Sequence, residues 1–117
     1  MKRQAGVEII AQGDTAVVAL KTPCLTDVEL ISGAAEEISA FIADNHPKKV
    51  VFDFGHVRFF SSQVLGLLLD VRKKLGAFGA EVVISGINPQ LHRVFRITNL
   101  DQIFRFSPDN KSALRDM

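Results

Sequence analysis

The spacing of apolar positions changes period along this chain, and each change marks the boundary of an element. Val7–Ile10 and Ala16–Leu20 are short apolar and β-branched runs. Gln12-Gly13-Asp14 between them has the chemistry of a tight turn, so the pair predicts a hairpin. Thr22-Pro23-Cys24-Leu25-Thr26 reads as a loop. From there Val28, Ile31, Ala35, Ile38, Phe41 and Ile42 recur at helical spacing, with Thr26 and Glu29 set as a capping box. Pro47 stops that helix near Asn45-His46. Lys49–Phe54 is apolar at nearly every position, the pattern of a central strand covered on both faces. After the turn Gly55-His56, Val57, Phe59 and Phe60 lead into two adjacent serines, Ser61 and Ser62.

A helix is predicted from about Ser62 to Leu75, then a strand over Glu81–Ser85. Asn88-Pro89 is a helix start, with the cap followed by proline at the first helical position. Leu91, Val94, Phe95 and Ile97 form the apolar face of that short helix. Ile103–Phe106 predicts the last strand, and Ser107-Pro108 repeats the cap-then-proline signal before a C-terminal helix through about Arg115. Strands alternating with helices predict an α/β domain with a mixed β-sheet. An N-terminal antiparallel hairpin is followed by parallel strands joined by α-helical crossovers. Without repeats, low-complexity tracts or linkers, residues 1–117 read as a single domain.

Composition narrows the function classes. Of the 117 residues, 47% are hydrophobic and 23% charged, the balance of an ordinary globular domain. A net charge of +1 argues against a nucleic-acid binder, which would carry a basic stripe. The charge is mildly uneven, with six basic and eight acidic side chains in residues 1–58 against eight and five in 59–117. Cys24 is the single cysteine, so no internal disulfide forms. No apolar run follows Lys2 and Arg3, and none approaches the ~20 residues that span a bilayer. A cytoplasmic domain without membrane insertion is expected.

Catalytic patterns are absent. The chain has no GxxxxGK[ST] or GxGxxG phosphate cradle, and no cofactor is implied. His46, His56 and His92 are dispersed, without metal-ligand spacing, so no metal site is expected. Ser62, His56 and Asp53 can be assembled on paper into a hydrolase site, but the GxSxG nucleophile elbow is missing.

The serine pair carries more weight because of where it falls. It lies at the carboxyl side of a parallel strand, where ligands collect in open α/β sheets, and at the start of a helix, where free N–H groups and the dipole favour an anion. A phosphoserine there adds about −1.5 to −2 charge without breaking the fold, which suits a switch. The plain alternative is that a serine caps the helix, worth ~1 kcal/mol. Along the following helix Val64, Leu65, Leu67, Leu68, Val71 and Leu75 form the core face, and Gln63, Gly66, Asp70 and Lys73 line the opposite one. Gly66 in mid-helix costs about 1 kcal/mol relative to alanine. Either a partner packs closely on it or it packs on the protein's own sheet.

This order of elements, and above all the strand–serine–helix junction, resembles the STAS domain of anti-sigma factor antagonists over nearly the whole chain. Ser61-Ser62-Gln63-Val64-Leu65-Gly66 occupies the position of the family's serine motif, and Thr98-Asn99-Leu100 that of a later turn. Gln63 and Val64 stand where relatives keep small residues, Ser61 where aspartate is common, and Thr22-Pro23-Cys24-Leu25 replaces the usual early loop. The resemblance implies a non-enzymatic binding switch. Ser62 would be the phosphorylation site, with Ser61 the lesser candidate. Ser61, Ser62, Gln63, Gly66, Asp70 and Lys73 would form the partner surface. The implied partners are an anti-sigma factor with serine kinase activity, through which transcription is regulated, and a serine phosphatase that resets the switch. Two other readings are an accessory STAS subunit of a membrane transporter or signalling assembly without phosphate control, and a small hydrolase using Ser62.

Overall fold

The computed structural model of the chain describes residues 7–110 and 112. Strands β1 (Val7–Gln12) and β2 (Thr15–Leu20) form the expected hairpin, and Gly13 takes the positive φ of 61° that a two-residue hairpin loop demands. After a short strand β3 (Cys24–Leu25), the chain alternates through α1 (Val28–Asn45), β4 (Lys49–Asp53), β5 (Phe59–Phe60) and α2 (Ser62–Gly76). It continues as β6 (Glu81–Ser85), α3 (Pro89–Ile97), a 3₁₀ turn at Leu100–Gln102 and β7 (Arg105–Ser107). The main sheet runs β1-β2-β4-β6-β7, antiparallel at β1–β2 and parallel elsewhere.

Strand alternation divides the core. Ala16, Val18, Leu20, Val50, Phe52, Val82 and Ile84 share one cluster with Ile31, Ile38 and Ile42 of α1 and Val64, Leu68, Val71 and Leu75 of α2. The intervening residues Val17, Val51 and Val83 form a second buried row on the opposite face. Residues 50–52 are each no more than 1% exposed, so β4 is buried on both faces as its continuous apolar run predicts. This places the carboxyl end of β4, and the loop toward the serines, at the centre of the sheet's edge.

The structure corrects several boundaries. The segment read as a loop contains β3, and the approach to the serines contains β5. The two strands pair in parallel, Cys24 opposite Phe59 and Leu25 opposite Phe60. Two-residue strands leave no periodicity to read. The cap of α1 is Asp27, whose Oδ1 accepts from the N–H groups of Glu29 (2.9 Å) and Leu30 (3.1 Å), one residue beyond the expected Thr26. Val28, expected in the core, is 64% exposed because it opens the helix with no turn beneath it, and Ala34 is buried rather than the expected Ala35. Ile97 is 73% exposed at the end of α3, rotated away from buried Leu91 and Phe95. The last strand begins at Arg105, since Leu100–Gln102 tightens into a 3₁₀ turn that leaves Ile103 in the turn. At the C-terminus Asp109 accepts from the Ser112 N–H (2.8 Å), so the cap lies past Pro108, and the rest of the expected helix falls outside the described residues.

Candidate functional site

The approach to the serines is fixed by aromatic packing. Phe60 stacks edge-on against Phe54 (5.9 Å) and Phe95 (6.0 Å), and Phe95 in turn meets Phe104 and Phe106. The Ser61 N–H donates to the Leu25 carbonyl (3.1 Å), continuing the β3–β5 pairing by one more bond. Backbone and ring contacts thus hold the residue immediately before α2 in place.

The two serines are placed differently. Ser61 stands at the N-cap with extended backbone (φ −90°, ψ 167°), but its side chain makes no capping hydrogen bond. Its Oγ is buried and meets no hydrogen-bond partner among the described residues. Ser62 is the first residue of α2 and is exposed. No acidic residue lies in the first turn of α2, while Lys73 and Lys74 in its last turn complement the dipole. The helix start therefore offers N–H groups, unengaged by the cap side chain, and a positive dipole end beside an accessible hydroxyl.

Gln63 and Val64 leave that hydroxyl open. The Gln63 amide turns onto α1, donating to the Val28 carbonyl and meeting Ser32 Oγ, each at 3.3 Å. Val64 is 1% exposed, its bulk in the core. Gln63 thus leaves the outward face on which the periodicity placed it, because a polar partner lies within reach on the neighbouring helix. Gly66, Asp70 and Lys73 are exposed. A Cβ built on Gly66 meets nothing within 4 Å, so packing against the protein's own sheet does not require glycine there. Asp70 pairs with Lys74 at 2.5 Å. The open stripe of α2 is Ser62, Gly66, Leu69 and Lys73, and Leu69 is 39% exposed.

Two exposed apolar residues at the junction were missed in the sequence. Phe59 is 58% exposed, paired with exposed Cys24, and Val28 is anchored through its carbonyl to Gln63. Val28 falls at a core position by helical spacing, and Phe59 lies in the apolar approach of Val57, Phe59 and Phe60 that leads into the serines. The signal that could have found Phe59 is the Phe59-Phe60 doublet, since consecutive strand residues face opposite sides.

The remaining candidates disperse. Asp53 accepts from the Gly55 N–H (2.8 Å) and the Asn110 amide (3.0 Å), so its carboxylate orients the β4 turn rather than His56. Fully buried Ser85 donates to the Asn110 side-chain oxygen, completing a polar link between the ends of β4 and β6. Gly86 sits at φ 68° with its missing Cβ only 3.3 Å from the Gly55 backbone, so a larger residue there would be strained and would crowd the β4 turn. His46 packs on Phe78 and His92 on Phe106, while His56 lines an open cavity of ≈ 800 Å³ between the β4 turn and the start of α3. Among the described residues no group of three or more His, Cys, Asp or Glu side chains could hold a metal ion. No helix there is long and apolar enough to cross a membrane.

The STAS domain family model matches residues 8–113. A STAS-domain containing protein of Pseudomonas aeruginosa is 28% identical over 61 residues, which make up 52% of this chain and 60% of that protein, so the match spans less than two-thirds of it. The "Putative anti-sigma factor antagonist BtrV" of Bordetella bronchiseptica is 31% identical over 93 residues, 77% of this chain and 79% of that one. The anti-sigma factor antagonist SpoIIAA in its unphosphorylated form shares the fold at TM-score 0.74 and 19% identity, with 94% of each chain covered. Bacillus SpoIIAA in its phosphorylated form does so at TM-score 0.73 and 19% identity, over 95% of this chain and 99% of that one.

Proposed function

This chain belongs to the STAS domain family, and on that premise we propose that it is an anti-sigma factor antagonist switched by phosphorylation of Ser62. The unphosphorylated protein binds an anti-sigma factor with serine kinase activity through the start and outer stripe of α2, and so regulates transcription. The kinase transfers a phosphoryl group to Ser62, and a serine phosphatase removes it. The protein itself is a substrate and a binding module, not an enzyme.

The observation that carries this reading is the contrast between the serines, with Ser62 exposed at an uncapped helix start and the Ser61 hydroxyl buried. A phosphate on Ser62 is favoured within the protein by the helix dipole and the free N–H groups. Across an interface it is disfavoured, because a dianion must be desolvated against the partner. Modification therefore leaves the fold intact and removes the complex. Exposed Phe59 and Val28 beside Ser62 supply the apolar contact such a complex would bury.

The test is phosphosite mapping by mass spectrometry after incubation with ATP and the anti-sigma factor kinases of the same genome. One phosphate on Ser62, lost in Ser62→Ala, is expected. Labelling confined to other residues, with Ser62→Ala unchanged in labelling and in binding, would remove the proposal.

A further inference from the structure

At the opposite end of α2 from the serines, the helix carries a second concentration of exposed chemistry. Arg72, Lys73 and Gly76 line a cavity of ≈ 330 Å³ whose other wall includes Glu81, Ile103 and Arg105. The Arg72 guanidinium is held in place: its Nε–H donates to the Ile103 carbonyl at 3.2 Å, which leaves the terminal amino groups directed elsewhere. Neither Arg72 nor Lys73 has a carboxylate partner among the described residues. Two nearby acids are already engaged. Glu81 faces Arg105 at 3.0 Å and Lys49 at 3.9 Å, and Asp70 faces Lys74 at 2.5 Å. Among the described residues here, counting Asp101 of the 3₁₀ turn as well, Lys49, Arg72, Lys73, Lys74 and Arg105 outnumber Asp70, Glu81 and Asp101.

The cations are not set in a purely polar surface. Leu69, one turn before Lys73, and Ile103, on the cavity wall, are each 39% exposed. A bound inorganic anion would make no use of them. A protein segment would, because interface centres combine an apolar anchor with a preoriented arginine. A guanidinium already fixed at Nε loses little freedom on taking a carboxylate, and its fork geometry suits one. We propose that this end of α2 recognises an acidic, amphipathic segment of a protein partner, with carboxylates on Arg72 and Lys73 and an apolar side chain against Leu69 and Ile103. The surface is continuous with the serine end, since Ser62, Gly66, Leu69 and Lys73 follow one stripe over roughly 16 Å of helix. It rests on the α2 reading above for the partner's class only. At that separation the phosphate and the acidic segment do not compete for the same groups, and ordinary salt screens most of the interaction between them.

The test uses the full chain and two synthetic 16-residue helical peptides, one with leucines at heptad spacing and glutamates flanking them, the other with glutamine at every glutamate. In an amide NMR titration the glutamate peptide is expected to shift Leu69, Arg72, Lys73, Gly76 and Ile103. The glutamine peptide, and Arg72→Gln with the glutamate peptide, should each bind about tenfold more weakly or worse. Arg72→Gln also loses the bond to Ile103, so Lys73→Gln serves as the second variant, with an otherwise unchanged spectrum as its control. Equal binding of both peptides, shifts centred elsewhere, or no shift at millimolar peptide would overturn the site. Absence of phosphate on Ser62 with the peptide shifts intact would remove the switch and leave the site standing. Phosphorylation of Ser62 without peptide shifts would do the reverse.

Discussion

Two strand–helix junctions lie side by side in this fold, and they are built to the same plan with opposite endings. Strands β3 and β5 pair in parallel, and within three residues each gives way to a helix, α1 and α2. At the first junction Asp27 closes the helix start by accepting from two N–H groups. At the second Ser61 occupies the cap position, yet its side chain turns inward and accepts from none. The comparison separates what a helix start needs for stability from what it offers for function. A capped start is inert toward anions because its donors are engaged; an uncapped one keeps its donors and dipole available at some cost in stability. Ser62, the residue just inside the uncapped start, inherits that availability.

Substitutions can break or sharpen this contrast, beginning with those of largest effect. Phosphorylation of Ser62, or Gly66→Arg farther along the stripe, should weaken binding to an anti-sigma factor partner by ~2–3 kcal/mol or more, at least about thirtyfold. Gly66→Arg should leave the fold intact and raise the thermal transition slightly, since no atom lies within 4 Å of a Cβ there and arginine favours a helix over glycine. Calorimetric titration and thermal melts on one preparation would read both. Next, Asp27→Ala should lower stability by about 1–2 kcal/mol in urea unfolding without changing partner affinity, because both of its hydrogen bonds serve the closed junction. Gly66→Ala should raise stability by about 1 kcal/mol in the same assay, the helix-propensity difference, with open space to receive the methyl group. Smallest of all, Ser61→Ala should change stability by less than about 0.5 kcal/mol or raise it slightly, since it removes a buried hydroxyl that meets no partner among the described residues. A loss of about 1 kcal/mol at Ser61 would mean that the hydroxyl caps α2 after all and that the two junctions are alike.

The elements legible in the sequence were those with a sustained period. The 18-residue α1, the 15-residue α2, the doubly buried β4 and the Asn88-Pro89 start of α3 all follow from spacing and cap chemistry. What escaped was short or decided by tertiary contact. Strands β3 and β5 are two residues each and exist only through each other. The choice of Asp27 over Thr26 as cap depends on which side chain the turn aims at the helix, and two adjacent oxygen-bearing residues give the same local signal. The candidate site was legible as a position and not as a geometry. Sequence placed Ser61 and Ser62 at a helix start, but nothing in it showed that Gln63 would fold back onto Val28 and Ser32, or that Phe59 would stand exposed. The bulk that Gln63 and Val64 add to the motif is a case in point, since packing turns both away from Ser62.

The most direct measurement of the central claim is the affinity of one anti-sigma factor partner for this protein before and after stoichiometric phosphorylation, with the modified residue identified in the same sample. The open-junction account predicts a single phosphate on Ser62, an unchanged fold by amide NMR, and a loss of affinity of about thirtyfold or more. Equal affinity of the two forms, with the phosphate confirmed on Ser62, would contradict it.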